Sequence, residues 1–191
     1  MATKPFEVRW HGRGGQGAKT AAYLLAEAAM HAGKVIQAFP EFGPERRGAP
    51  IRAFTRISDE PIRIRSHVYS PDVVIVLDPS LFEWEDLLSG TNDEAVILIN
   101  TPLSPAEARE EFGIEGRKVF TVDATAISFE ELKRNLPNIP LMGAFAKATG
   151  LVPIEAMEEE IRSHFERRYG PEVAEANVKA LRRGYEEVRG E

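Results

Sequence analysis

The sequence contains no cysteine. Iron–sulfur clusters hang on thiolates, so this chain can hold no conventional cluster of its own. Cysteine-based structural zinc sites and cysteine nucleophiles are excluded with it. Histidine is scarce as well: only His11, His31, His67 and His164 occur, and no two of them stand four residues apart. Apolar runs such as Val73 to Leu77 are far too short to span a bilayer. Met1 to Phe6 has no apolar core of the signal-peptide kind. A cytoplasmic protein with no membrane partner is therefore expected. Positive charge is in deficit, with 24 Lys and Arg against 30 Asp and Glu and a net charge of −6. The basic residues are mixed with acidic ones, so nucleic acid is not an expected partner. No Ser/His/Asp triad or paired-carboxylate site stands out, and no catalytic residue is assigned.

What is present is an alternation of strands and helices. Phe6 to His11 alternates apolar and polar residues and reads as a strand, followed by a glycine-rich loop and an Ala-rich helix from Ala18 to Ala32. Lys34 to Phe39 reads as a second strand. Ile51 to Ile57 and Ile62 to Ile64 suggest a partly exposed antiparallel pair. Asp72 to Leu77 and Ala95 to Ile99 are nearly continuous apolar runs, the pattern of central parallel strands buried on both faces. A helix is expected over Leu81 to Leu88. Another starts near Ser104, with Glu107 as its capping-box partner. Val119 to Val122 reads as a strand, followed by a helix through about Leu136. A small-residue helix then ends at Gly150, and two charged amphipathic helices run from Pro153 to Tyr169 and from Pro171 to Val188, each with Pro in its first turn. The class is α/β: a doubly wound, Rossmann-like, mostly parallel sheet with helices on both faces and a C-terminal helical segment. Residues 1–191 are expected to form one domain, with 137–191 a helical part packed on it.

Gly12, Gly14 and Gly17 fit G-x-G-x-x-G after a strand and before a helix. Such a loop brings N–H groups to a helix N-terminus and can cradle phosphate; it can equally serve only close strand–helix packing. A nicotinamide dinucleotide site wants an acid at the end of the second strand, and Lys34 to Pro40 ends without one, Glu41 lying past the proline. Gly15 and Gln16 also depart from the usual dehydrogenase fingerprint. Trp10 and His11 read as packing residues. Asp78 reads as a helix cap, with a ligand crevice at the sheet's carboxyl edge as the alternative that it shares with Asn100 and Asp123.

Gly12-Arg13-Gly14-Gly15-Gln16-Gly17 is similar to the G-x-G-G-Q-G signature of the γ subunit, or γ domain, of pyruvate and related 2-oxoacid:ferredoxin oxidoreductases. Gly43-Pro44-Glu45-Arg46-Arg47-Gly48 resembles that family's Tyr-Gly-Pro-Glu-x-Arg-Gly-Gly loop, with Phe42 in place of Tyr and Ala49 in place of the second Gly. Asn138 to Ala144 resembles its Asn-x-x-Met-Leu-Gly-Ala segment, and Asn177 has a counterpart in the last helix. The resemblance spans nearly the whole chain. It implies a heteromeric enzyme of α, β, γ and δ subunits that decarboxylates a 2-oxoacid on thiamine diphosphate with Mg²⁺. Electrons pass through [4Fe–4S] clusters to ferredoxin, and acyl-CoA is released. This chain, which lacks a Gly-Asp-Gly thiamine diphosphate signature, is expected to bind neither cofactor alone and to be inactive without its partners.

Two places could meet the phosphates of coenzyme A: Gly12, Gly14, Gly15, Gln16 and Gly17 in the loop, and Arg46 and Arg47 beside Glu45, whose guanidinium groups suit phosphate. Arg46 and Arg47 could instead pair with an acidic patch of a partner subunit. A stand-alone nucleotide-binding dehydrogenase and a ligand-free scaffold subunit are the readings from other classes.

Overall fold

Four parallel strands, adjacent in this order, make the centre of the fold: β1 (Phe6–Arg13) and three short strands rich in Val and Ile, β4 (Val73–Val76), β5 (Val96–Asn100) and β6 (Lys118–Val122). The computed structural model describes residues 4–41 and 48–191. β-branched side chains suit strands packed on both faces, and every residue of β4 is buried. The sheet has seven strands in the order β2-β3-β1-β4-β5-β6-β7. β2 (Val35–Pro40) and β3 (Pro50–Ser58) complete one side, and β7 (Arg189–Gly190) pairs antiparallel with β6 on the other. β3 runs antiparallel to both β1 and β2 and lies between them, with Phe6 opposite Ile57 and Arg13 opposite Pro50.

The larger core lies on the sheet face covered by α1 (Ala18–His31), α3 (Ala124–Leu132), α4 (Asn138–Thr149), α5 (Ile154–Tyr169) and α6 (Pro171–Glu187). It includes Val8, Trp10, Leu24, Ile75, Leu141 and Phe145. The opposite face is covered by α2 (Pro105–Glu111) and the segment after β4, over Val74, Val76, Ile97, Ile99 and Leu87. Helices thus flank a sheet with a parallel centre, the α/β class expected. Among the described residues no helix is long and apolar enough to cross a membrane.

Three elements differ from the sequence expectation. Ile62 to Ile64 forms no strand. Both edges of β3 are already taken by β1 and β2, so nothing is left for that triplet to pair with. The helix expected over Leu81 to Leu88 is a short 3₁₀ helix, Pro79–Glu83. Beyond it the carbonyls of Leu87 and Ser89 each accept from Arg9 Nη2 at 2.9 Å, so the chain turns in toward β1. α3 stops at Leu132, short of Leu136, with Lys133 in the left-handed conformation. Pro137 disfavours helix at the residue before it, and the Leu136 N–H instead donates to Ser128 Oγ at 3.3 Å. The capping box at Ser104 and Glu107 forms as expected, both halves present.

Two glycines let α4 and α6 touch backbone to backbone. A Cβ on Gly143 would stand 1.9 Å from the Leu181 carbonyl oxygen, and one on Gly184 1.9 Å from that of Pro140. Gly143 belongs to the Asn138–Ala144 segment, so the small residue of that motif has a packing reason.

Candidate functional site

The carboxyl ends of the parallel strands carry Arg13, Asp78, Asn100 and Asp123. Asn100 and Asp123 are occupied within the fold. Asn100 Nδ2 donates to the Leu77 carbonyl and to Thr125 Oγ1, both at 2.8 Å, while its Oδ1 accepts from Thr125 N at 3.0 Å. Asp123 caps α3 by accepting from Ala126 N at 2.9 Å.

The glycine loop is closed by Gln16. The Arg13 N–H donates to Gln16 Oε1 at 2.7 Å, and Gln16 N donates to the Arg13 carbonyl at 3.1 Å. Gln16 Nε2 donates to Asp78 Oδ2 at 2.9 Å. The Arg13 guanidinium joins the same group, with Nε 3.3 Å from Asp78 Oδ2 and Nη2 donating to Ser80 Oγ at 2.9 Å. Asp78 also caps the 3₁₀ helix through the Ser80 N–H, so cap and loop anchor are one residue. Gly14 N–H donates to the Ala49 carbonyl at 2.9 Å and Gly48 N–H to the Gly14 carbonyl at 3.1 Å. The N–H groups of Arg13, Gly14 and Gln16 are therefore engaged inside the protein. What remains for an anion is the N-terminus of α1, whose first turn lacks intrahelical acceptors. Gly17, at φ 84°, is the left-handed residue that starts α1. Its carbonyl accepts from Asn138 Nδ2 at 3.3 Å, and a Cβ there would stand 2.5 Å from that nitrogen. The first motif thus rests directly on the third.

Glu45, Arg46 and Arg47 lie outside the described residues. The residues flanking that segment are fixed: Glu41 N–H donates to the Arg52 carbonyl at 2.9 Å, and Gly48 is paired with Gly14.

A second polar group lies on the other face of β1, and the sequence reading missed it. Glu7, Arg9 and His11 form the polar side of the strand, alternating with Val8 and Trp10, and all are buried, His11 packing as its place in the sequence suggests. Glu7 Oε1 accepts from Arg56 Nε at 2.8 Å, and Arg56 is wholly buried. Arg9 Nε donates to His11 Nε2 at 2.9 Å. That bond leaves the proton of the neutral imidazole on Nδ1, which lies 3.6 Å from Glu85 Oε2 and has no hydrogen-bond partner. Burial pushes the His11 imidazole below its usual range. His11 and Arg52 hold Glu85 at about 2, against the effect of its own burial. Arg52 reaches Glu85 Oε2 from Nη2 at 3.1 Å.

Arg9, His11, Arg52 and Glu85 line a cavity of about 450 Å³, with Glu41 on one wall and the exposed rings of Trp84 and Tyr69 among the lining residues. It is a mixed-charge recess suited to a polar group or a partner's side chain. A sequence signal for it did exist: the two Arg residues of β3, four apart, stand opposite the polar residues of β1, with Arg52 across from His11 and Arg56 across from Glu7.

Residues 7–187 match the family described as pyruvate ferredoxin/flavodoxin oxidoreductase. The chain is 51% identical over 189 residues to the pyruvate synthase subunit PorC of Thermotoga maritima, covering 99% of this chain and 97% of that one. It is 51% identical over 182 residues to the pyruvate/ketoisovalerate oxidoreductases common subunit gamma of Pyrococcus furiosus, covering 95% and 96%. The crystal structure of the pyruvate oxidoreductase subunit PORC of Thermotoga maritima superimposes with a TM-score of 0.87 at 47% identity, over 98% of this chain and 99% of that one.

Proposed function

The chain belongs to the pyruvate ferredoxin/flavodoxin oxidoreductase family as one of its γ subunits, and on that footing we propose that it works in the cytoplasm inside a heteromeric 2-oxoacid:ferredoxin oxidoreductase. The reaction is oxidative decarboxylation: pyruvate and CoA–SH, with two oxidised ferredoxins, give acetyl-CoA, CO₂, one proton and two reduced ferredoxins. The observation that carries this reading is end-to-end kinship with γ subunits in a chain that has no thiolate. Cluster ligation does not fit its donor set. The [4Fe–4S] clusters, thiamine diphosphate and Mg²⁺ belong to α, β and δ partners, and no step of electron transfer runs through residues of this chain. The Pyrococcus furiosus relative is named as common to pyruvate and ketoisovalerate oxidoreductases, which supports a choice of 2-oxoacid made outside the γ subunit.

The role of this subunit is architectural, with part of the coenzyme A environment. The segment carrying Glu45, Arg46 and Arg47 leaves from the rim of the cavity at Glu41 and returns beside the glycine loop at Gly48. Two guanidinium groups on such a segment match the diphosphate and 3′-phosphate of CoA. Closing over the substrate would keep water from the reactive intermediate. For the glycine loop itself, the internal engagement of three N–H groups favours a second reading, in which Gly12, Gly14, Gly15, Gln16 and Gly17 hold the fold and an interface and touch no ligand.

The test uses the complex assembled from all its subunits, with Arg46 and Arg47 both replaced by Ala. The CoA role requires the KM for CoA to rise by about 10-fold or more, the value of one charge-assisted hydrogen bond or two, with the assembly intact. Unchanged CoA affinity together with weakened assembly assigns both arginines to a subunit interface instead. Turnover by the chain alone, without companions, would overturn the subunit reading altogether.

A further inference from the structure

α1 and α5 pack side by side, and each carries a Glu followed four residues later by a His: Glu27 and His31 on α1, Glu160 and His164 on α5. Residues four apart lie on one face of a helix, and here the two faces meet. Ligand atoms of Glu27, Glu160 and His164 all lie within 4.8 Å of one another, and His31 Nδ1 stands 3.4 Å from Glu160 Oε2. Glu160 is buried, Glu27 and His164 are half-buried, and His31 is exposed at the rim. The His164 ring rests edge-on against Phe165, with centroids 5.1 Å apart.

We propose that Glu27, His31, Glu160 and His164 form a binding site for a divalent transition-metal ion, Zn²⁺ or one of its neighbours, that clamps α5 to α1. Two imidazole nitrogens and two carboxylate oxygens are the donors that zinc and adjacent first-row metals take. Around a tetrahedral ion with bonds of about 2.05 Å, ligand atoms sit roughly 3.3 Å apart. The His31–Glu160 pair already has that spacing, and the donors of Glu27, Glu160 and His164 stand within 4.8 Å of one another.

The arrangement without a cation is electrostatically awkward. Two carboxyl groups, that of Glu160 buried and that of Glu27 half-buried, face each other across the helix pair. A dication would neutralise both carboxylates. The remaining charged neighbour is Arg167 on α5. Its guanidinium turns back onto its own helix, donating to the Ser163 carbonyl at 3.2 Å and to Ser163 Oγ at 2.5 Å, which leaves the space between the helices to the four donors.

The site is separate from the glycine loop. It lies at the C-terminal end of α1, and the loop lies at the other end of a 14-residue helix, roughly 20 Å away. Its role is structural, and it is independent of the coenzyme A reading.

The experiment uses the full chain stripped with a chelator and titrated with Zn²⁺, and separately with Co²⁺ as a spectroscopic probe. One ion per chain should bind, with an upward shift in melting temperature. Co²⁺ should give the intense visible bands of a four-coordinate site. In the His31→Gln/His164→Gln variant and in Glu160→Gln, affinity should fall by about 10–100-fold or more, at least the loss seen for outer-shell partners, while the metal-free melting temperature stays close to that of the parent or rises for Glu160→Gln. Absence of saturable one-to-one binding overturns the proposal, as does binding that both variants retain. Either result leaves the cluster as a packed pair of carboxyl groups with a histidine contact.

Discussion

Gln16 and Asp78, on loops that follow two different strands, are joined by one hydrogen bond of 2.9 Å, and through it the glycine loop is tied to the turn after β4. The same glutamine accepts from the Arg13 N–H. A side chain here does what a bound phosphate does elsewhere: it satisfies loop donors and holds the turn.

Removing that tie has a cost set by what it leaves unpaired. Gln16→Ala strips an acceptor from Arg13 N–H and a donor from Asp78, which should lower stability by about 1–3 kcal/mol. Gln16→Glu keeps the acceptor but sets a second carboxylate against Asp78, and it should be worse than Ala at neutral pH. Urea midpoints measured at pH 7 and near pH 4, where carboxyl groups begin to protonate, should show the Glu variant recovering relative to Ala. Equal behaviour at both values would mean that Arg13 already neutralises the site.

The contact of α4 with α6 gives a second expectation. Gly184→Ala gains about 1 kcal/mol of helix propensity. Against this stands a Cβ placed 1.9 Å from the Pro140 carbonyl oxygen, which the two helices can relieve only by moving apart. Overpacking, at the upper end of its usual range of about 1–3 kcal/mol, should win, with a net loss of about 1–2 kcal/mol. The melting temperature of a chain this size should fall by about 2–8 °C. Gly143→Ala should behave the same way, and an exposed control such as Gly113→Ala tests the positive-φ cost alone, since nothing stands near a Cβ there.

The buried His11 predicts a pH dependence whose sign is fixed. Burial depresses its folded pKa, so the unfolded chain binds a proton first. The neutral ring's contribution is complete above about pH 6.5, the unfolded value, and is lost as pH falls below it. Glu85, held at about 2, adds a loss of the same sign that begins below its unfolded value of about 4.5 and continues toward 2. Melting temperature should therefore decline from pH 7 toward pH 5, and His11→Gln should flatten that part of the curve and, by removing the largest influence that depresses Glu85, soften the fall below pH 4.5 as well. A variant curve parallel to the parent's between pH 7 and 5 would show that His11 does not titrate differently in the two states.

Much of the architecture was legible because local rules and packing agree. The apolar runs at Val73 and Val96 are buried strands, and Ser104 with Glu107 starts a helix as its side chains dictate. Asp78 is the cap it was read to be, yet its second task could not be seen, because Gln16 and Arg13 reach it only once β1 and β4 are neighbours. The buried network that joins Glu7, Arg9 and His11 to Arg56 and Glu85 was hidden for a related reason. Period-two alternation says which side chains share a face; whether that face meets water depends on the chain from Asp59 to Gly90 folding over it. Glu45, Arg46 and Arg47 keep the standing that the motif gives them.

The placement of β3 settles what the glycine turn can be adapted to do. In a dinucleotide fold the second strand lies directly beside the first, and an acid at its tip shares a ribose with the turn. Here an antiparallel ribbon separates them by two strand spacings, roughly 10 Å. An Asp engineered at the tip of β2 would stand a full strand away from Gly12, so retrofitting this scaffold for nicotinamide would require rethreading the sheet, beyond the reach of any point change.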